Sequence, residues 1–394
     1  MPSQTPWTES AAPRWGQPPW QIEFQPQPPA TFPARADFAV VGGGFTGLAA
    51  AAWLARLAPG ATVVLLEARR IGAGASGRTG GVVLGETAAG KLTGLGDVLD
   101  GFARVLQTLQ VDCGLQLSGV WEIAHSNIRA DSPFRWQDYG ELGVVGEVAG
   151  GTVDAGRLVS GLARAAQLAG AHIWEQTPVL AAEFSSPIQL TTPHSRLTAD
   201  KVLFATDAES LELSSLAGRV QPCLTLAVAT EPLDPDQLAA LGPEPRRPFY
   251  TVDLPYLWGR LLDDGGAIFG SGLVFVEDWR ELARLDVHRD EARGLLEALE
   301  QRVRGLHPAL RTVRIRYRWG GPMSIRRSWK PVFRRHAQCA DALAVGCYCG
   351  HGVAQSVYFG AWAAEALLGL RALPEWEPRE SAGERDSSDR MAAR

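Results

Sequence analysis

Residues 42–47 read Gly-Gly-Gly-Phe-Thr-Gly and directly follow the apolar run Asp37-Phe-Ala-Val-Val41. The hexapeptide fits G-x-G-x-x-G, and its context restricts the fold more than any other feature of the chain. Gly42 permits a tight turn off a strand, Gly44 lets backbone approach a pyrophosphate, and Gly47 allows close helix–strand packing. A helix opening there offers unpaired N–H groups and a partial positive charge to an anion. The pattern alone decides little, because Gly72-Ala-Gly74-Ala75-Ser76-Gly77 also fits it and follows no strand. The first match has the required surroundings. Helical character runs from Phe45 to Ala58 and stops at Pro59-Gly60. Thr62 to Leu66 is the next β-branched and aliphatic run, with Glu67 at its end. A carboxylate there accepts hydrogen bonds from ribose hydroxyls. Strand, helix and strand in succession imply a right-handed βαβ unit in a parallel sheet. Together these features imply a bound dinucleotide.

Later segments continue the alternation. Asp154 is placed to cap a helix of about 15 residues. His172 to Val179 and Lys201 to Ala205 read as strands, and Asp341 to Val345 as a last strand leading into a helix from about Val353 to Leu368. From about 220 to 315 strand-like segments alternate with turn residues, which predicts an antiparallel sheet. Residues 86–150 carry no clear pattern. Residues 1–35 are rich in Pro and Gln, with Trp7, Trp15 and Trp20 among them, and read as an extended arm on the surface. Residues 373–394 are charged and nearly free of aliphatics, which predicts a disordered tail.

Composition excludes several classes. A net charge of -5 gives no electrostatic footprint for nucleic acid. No apolar run approaches the ~18 residues that span a bilayer, and the first residues lack the basic start and apolar core of a secretion signal. A cytoplasmic location is the expectation. The five cysteines suggest no disulfide framework, and Cys347-x-Cys349 lacks the further ligands of a metal site.

After Glu67 comes Ala68-Arg69-Arg-Ile-Gly-Ala-Gly74-Ala75-Ser76-Gly77-Arg78-Thr-Gly80-Gly81. Such a glycine-rich stretch can wrap an extended cofactor with backbone N–H groups and one cation, Arg78. Taken with VVGGGFTGLAAAAWLARL, it resembles the FAD-dependent oxidoreductases of the D-amino-acid oxidase family, nearest the branch containing gamma-glutamylputrescine oxidase. Sarcosine and glycine oxidases are similar at greater distance. VDAGRLVSGLARAAQLAGAHIWEQTPV, ADKVLFATDA, RWGGPMSI and GCYCGHGVAQSVYFG extend the resemblance from about 36 to 370.

The resemblance implies an α/β fold: a Rossmann-like FAD-binding domain with a parallel sheet, from 36–85, 151–219 and 312–372, and an inserted antiparallel-sheet substrate domain, from 86–150 and 220–311. It implies FAD contacts at the first turn (Gly42, Gly44, Phe45, Thr46, Gly47), at Glu67 to Arg69, and in the loop (Gly74, Ala75, Ser76, Gly77, Arg78, Gly80, Gly81). It adds the Val179 backbone, Thr206, and the late turn Gly350, His351, Gly352 and Val353. Asp207 stands where relatives have Asn. His351 is either a flavin contact or a helix-start residue.

Departures from the family pattern carry information. RRSWKPVFRR holds no cysteine where sarcosine oxidase-like members tether flavin, and Arg78-Thr79 stands where others tether it through histidine. FAD is therefore expected to be non-covalent. The lysine that clamps a substrate carboxylate in sarcosine oxidases is also missing, because Val353 and Ala354 follow His351-Gly352. This favours an amine, or else a carboxylate held elsewhere. Arg326, Arg327 and Lys330 are the candidate cations, or equally surface charges. Tyr250 and Tyr256 are candidates for lining the substrate pocket or for packing. The implied reaction moves a hydride from a small amine or amino acid to flavin N5, and the imine is then hydrolysed. Oxygen or another electron acceptor reoxidises the flavin. A hydroxy-acid dehydrogenase and a non-catalytic flavin-binding protein are the alternatives.

Overall fold

The computed structural model describes residues 14–242 and 247–376. Its first sheet grows around strand Arg35–Val41, which lies between Val63–Leu66 and Arg196–Phe204 and runs parallel to both. His172–Trp174 and Cys339–Gly346 extend the parallel order on either side. Val332–His336 closes one edge in antiparallel sense. The run Val63–Leu66 is wholly buried, as strands covered on both faces must be.

Helices Phe45–Leu57, Ala155–Leu168 and Gly352–Leu367 share one core with this sheet. Asp154 accepts the Arg157 N–H at 2.7 Å and starts the second of them as its cap. The first and third cross closely because the contact is made of small residues. Ala49 to Ala52 are fully buried, and a Cβ on Gly360 would stand 2.4 Å from the Thr46 carbonyl oxygen. That crossing brings the start of the first helix against the middle of the third.

The second sheet runs Ile315–Ile325, Gln221–Thr230, Ala267–Phe275, Trp258–Leu261, Phe249–Thr251, Val120–Ala124, Glu141–Val148, Arg135–Gln137. Its pairs are antiparallel except Phe249–Thr251 with Val120–Ala124, which run parallel. The architecture is thus α/β, as the sequence predicts, with one sheet built on a parallel centre and another largely antiparallel.

Several local expectations change. The stretch from 220 to 315 also contains a 17-residue helix, Asp290–Leu306, which buries Leu296, Leu299 and Val303 in the core under the second sheet. Ile315–Ile325 falls in the stretch grouped with the cofactor-binding segments, yet it pairs with Gln221–Thr230 as an edge of the antiparallel sheet. The N-terminal arm does more than lie on the surface. Trp15 is fully buried, and its indole N–H donates to the Leu282 carbonyl at 2.8 Å. The start of the expected tail is packed, with Trp376 stacked on Phe359. Trp7 and residues 377–394 lie outside the described residues. Among the described residues no helix is long and apolar enough to cross a membrane.

Candidate functional site

The first turn is built as its glycines require. Gly42 has φ +110°, and a Cβ there would come 2.5 Å from the Ala205 carbonyl oxygen. Gly47 is tighter still, since its Cβ would lie 1.9 Å from the Gly42 oxygen. Gly44 caps helix Phe45–Leu57 without a side chain. The first helical N–H, that of Phe45, donates to Ser76 Oγ at 2.9 Å, so the glycine-rich loop folds back over the helix start.

Glu67 ends strand Val63–Leu66 and receives two backbone N–H groups. Gly43 donates to Oε2 at 2.7 Å and Arg69 to Oε1 at 2.8 Å. Burial nevertheless outweighs these bonds and the Arg69 charge, and holds the carboxyl above its usual range. Arg69 itself forms a bidentate pair with Glu209 at 3.0 and 2.9 Å. Arg78 does not stand free as a cation. Its guanidinium donates to the carbonyls of Ala73, Gly16 and Gly320, and burial lowers its pKa to about 10. It stays charged at neutral pH and clasps the arm, the loop and the second sheet together.

The late turn meets the first one. The Tyr348 hydroxyl lies 2.6 Å from Thr46 Oγ1, across 302 residues of chain. Just beyond it, Gly350 adopts φ +89°, and His351 caps helix Gly352–Leu367. The His351 ring stands edge-on to Tyr250 at 6.4 Å. Its Nδ1 lies 3.4 Å from the Cys349 carbonyl oxygen, a contact that needs the proton on Nδ1. Burial lowers its pKa, which favours the neutral ring. Tyr250 donates its hydroxyl proton to Glu122 Oε1 at 2.9 Å, and the Tyr256 hydroxyl lies 3.1 Å from Thr225 Oγ1.

These parts enclose one cleft of about 790 Å³ between the two sheets, within the usual size range of ligand sites. From the first turn, Gly42, Gly44, Phe45 and Thr46 line it. Glu67, Ala68 and Arg69 follow, then Gly74, Ala75, Ser76, Arg78 and Gly80 from the loop. Val179, Thr206, Tyr250 and Gly350 to Val353 complete the expected set on its wall. Gly47, Gly77, Gly81, Arg326 and Lys330 are not on the wall. Gly47 serves packing instead, and Arg326 donates to the carbonyls of Lys330 and Pro331, closing its own turn.

The structure adds wall residues that sequence reasoning passed over: Trp258, Trp319, Tyr348 and Glu86. Trp258 had an indirect signal. A Cβ on Gly80 or on Gly270 would come 2.1 Å from its ring, so both glycines leave room for it.

The polar lining fits a dinucleotide. Thr206 Oγ1 is buried on the wall with no hydrogen-bond partner, an orphan that a ligand would satisfy. The space on the Cβ side of Gly74 is open. A helix N-terminus, a ribose-type acceptor and a gap for close backbone approach all face one cavity.

The sequence profile of the FAD dependent oxidoreductase family (DAO) matches residues 37–366. The chain belongs to that family. Among curated proteins it is similar to gamma-glutamylputrescine oxidoreductase of Escherichia coli (strain K12), at 29% identity over 377 residues, 84% of each chain. The fold is shared with glycine oxidase from Geobacillus kaustophilus, with TM-score 0.68 and 20% identity, covering 86% of this chain and 96% of that one. It is shared also with L-amino acid deaminase from Proteus myxofaciens, with TM-score 0.67 and 16% identity, covering 92% and 97%.

One buried carboxyl on the wall of the cleft should respond to pH. Asp207 sits at φ +48°, a conformation that Asn and Asp tolerate best. Its Oδ1 accepts from the Cys347 N–H at 2.7 Å and the Ser324 hydroxyl at 3.0 Å. Burial still pushes the carboxyl up to about 6. The folded pKa exceeds the unfolded one, so the folded state holds the proton more tightly. The stability this confers is present below about pH 4 and is lost as pH rises through 6. Asp207→Asn keeps the acceptor and cannot ionise. We expect its unfolding free energy in urea to exceed the parent's at pH 8 by on the order of 3 kcal/mol, with the gap narrowing as pH falls toward 4. Superimposable pH profiles for the two proteins would refute the assignment.

Proposed function

We propose that this protein oxidises a carbon–nitrogen bond of a small amine, using FAD held non-covalently in the cleft between the two sheets. The observation that carries this reading is the Thr46–Tyr348 contact, which joins the nucleotide-binding turn to the histidine-bearing turn on one cavity. The E. coli relative, by name a gamma-glutamylputrescine oxidoreductase, supports the amine class.

In this reading the N-terminus of helix Phe45–Leu57 binds the pyrophosphate, and Glu67 the adenosine ribose. The Val179 backbone faces the adenine end. The N-terminus of helix Gly352–Leu367 faces the flavin ring, where N–H donors favour negative charge. When bound, FAD supplies the acceptor for a hydride from the carbon beside nitrogen.

The remaining tasks fall to side chains. An ammonium has no lone pair and must lose a proton before its carbon can be oxidised. His351, with its proton on Nδ1, presents a bare Nε2 that can take the substrate's proton. Tyr250 spends its proton on Glu122 and so offers an oxygen lone pair to an ammonium. Glu86 lies on the wall near these groups, and among the described residues its carboxylate has no hydrogen-bond or ion-pair partner. Arg326 and Lys330 are off the wall. This end of the cleft therefore suits a cationic substrate better than a carboxylate.

The test is anaerobic titration of the purified yellow protein with alkyl amines, α-amino acids and 2-hydroxy acids. Bleaching of the visible flavin band by amines at the lowest concentrations is expected, and readmitted air then reports whether peroxide forms. Acid precipitation should leave the flavin in the supernatant. Bleaching by a hydroxy acid and by no amine would overturn the reading, and colour retained in the acid pellet would overturn the non-covalent attachment.

A further inference from the structure

The turn that carries His351 also carries two cysteines that the proposed oxidation does not use. Their Sγ atoms are 3.8 Å apart. Both residues adopt left-handed backbone, with φ +53° at Cys347 and +50° at Cys349. Side chains other than Asn, Asp and Gly seldom occupy that region, so backbone preference does not account for cysteine at either position. Cys347 is fully buried, whereas Cys349 reaches the wall of the cleft. Cys349 lies two residues before the N-cap of helix Gly352–Leu367, and the Arg326 backbone N–H and guanidinium both favour negative charge on its sulfur. A helix N-terminus, a cation and partial access are the surroundings of reactive thiols.

We propose that Cys349 and Cys347 form a redox-active dithiol on the wall of the cleft, which hydrogen peroxide converts into an intrachain disulfide. The proposal does not depend on which substrate the protein oxidises. The Cys349 thiolate attacks one peroxide oxygen and the O–O bond breaks. The departing hydroxide takes a proton and leaves as water, and Cys349 is left as a sulfenic acid. The Cys347 sulfur then attacks the Cys349 sulfur, the S–O bond breaks, and a second water leaves with the Cys347 proton. In sum, two thiols and one peroxide give one disulfide and two waters. The thiols are oxidised and the peroxide is reduced.

The local contacts divide the roles. The hydrogen bond from Cys347 holds the Cys349 thiol below its usual range, while burial pushes Cys347 well up. Cys349 is therefore the attacking thiol and Cys347 the resolving one. Burial pushes the Cys113 thiol up to about 12 and raises that of Cys223 as well, which makes both poor nucleophiles. Cys339 is the informative control. It is more exposed than either turn cysteine, so oxidation governed by exposure alone would take Cys339 first.

The purified, flavin-containing protein is treated with one equivalent of hydrogen peroxide, denatured, alkylated with N-ethylmaleimide and digested. The peptide holding Cys347 and Cys349 should be unlabelled and lighter by about 2 Da, the mass of two hydrogens, while Cys339 is labelled. Dithiothreitol should restore labelling at both positions. In Cys347→Ser, dimedone should trap a sulfenic acid at Cys349. Oxidation of Cys339 ahead of the pair, or full labelling of both turn thiols after excess peroxide, overturns the proposal. If Cys347→Ser does not fold, the mass of the parent peptide decides alone.

Discussion

Gly44→Val is expected to give a folded protein that purifies colourless. Gly44 has φ -85° and ψ -173°, extended backbone that valine adopts readily, so the substitution brings no backbone strain. The cost is local and steric. A Cβ at this position would come 2.8 Å from Ser76 Oγ, the group that receives the Phe45 N–H. Valine displaces that hydroxyl and places methyl groups where a pyrophosphate must approach the helix. Each hydrogen bond to a charged group contributes about 1.5–3 kcal/mol. Losing two of them weakens FAD binding by roughly two orders of magnitude or more. The measurement is the ratio of visible to ultraviolet absorbance after gel filtration, followed by FAD titration of the apoprotein. Gly47→Val is the contrasting control. Its Cβ would meet the Gly42 oxygen at 1.9 Å, so that change should break the fold itself. A Gly44→Val protein that retains stoichiometric flavin would remove the nucleotide assignment from this turn.

The two substitutions differ because one glycine faces the ligand and the other faces its own chain. The spacing of the motif already separates these roles, and the structure keeps them. Legibility of this kind is local. The strand expected over 37–41 occupies Arg35–Val41, the helix expected over 45–58 occupies Phe45–Leu57, and Asp154 caps where it should. Each depends on interactions within a few residues. Sheet membership is not local. Ile315–Ile325 follows a long helix and precedes the last two strands of the first sheet, yet its partner is Gln221–Thr230, far back in the chain. Nothing in its own alternation specifies that partner. Helix Asp290–Leu306 was hidden for a related reason, since mixed strand-like segments around it suggested a uniform sheet.

The site divides in the same way. Glycines at the first turn, Glu67 and the late turn are marked by motifs. Arg78 is marked too, but the carbonyls of Gly16 and Gly320 determine what its charge does. Arg326 and Lys330 are cations of the right type beside a family motif, and the turn they form points them away from the wall. Trp258 fills space that two distant glycines leave, a relation that spacing along the chain cannot express.

Trp15→Ala should cost more than any other single change in the N-terminal arm, although composition places that arm on the surface. The indole is completely buried and donates to Leu282, and the Trp15 carbonyl accepts the Gly320 N–H at 2.7 Å. The guanidinium groups of Arg69 and Arg78 stand 5.1 and 5.4 Å from its ring, within cation–π range. Removing a large buried aromatic side chain costs about 3–5 kcal/mol through lost burial and the cavity left behind. A typical folded chain has a margin of only ~5–15 kcal/mol. The damage should also reach the cofactor. Gly16 pairs with Trp319 along the exposed edge of Ile315–Ile325, and Trp319 donates to the Arg78 carbonyl at 2.9 Å. Loosening the arm therefore loosens the glycine-rich loop. We expect the urea midpoint to fall by roughly 1 M and flavin fluorescence to rise at lower urea than the loss of helical signal. Trp20→Ala, at a half-buried indole bonded only to the Gly77 carbonyl, should move both transitions less. Parent-like transitions in Trp15→Ala would mean that the arm is dispensable, and that Arg78 holds the loop without it.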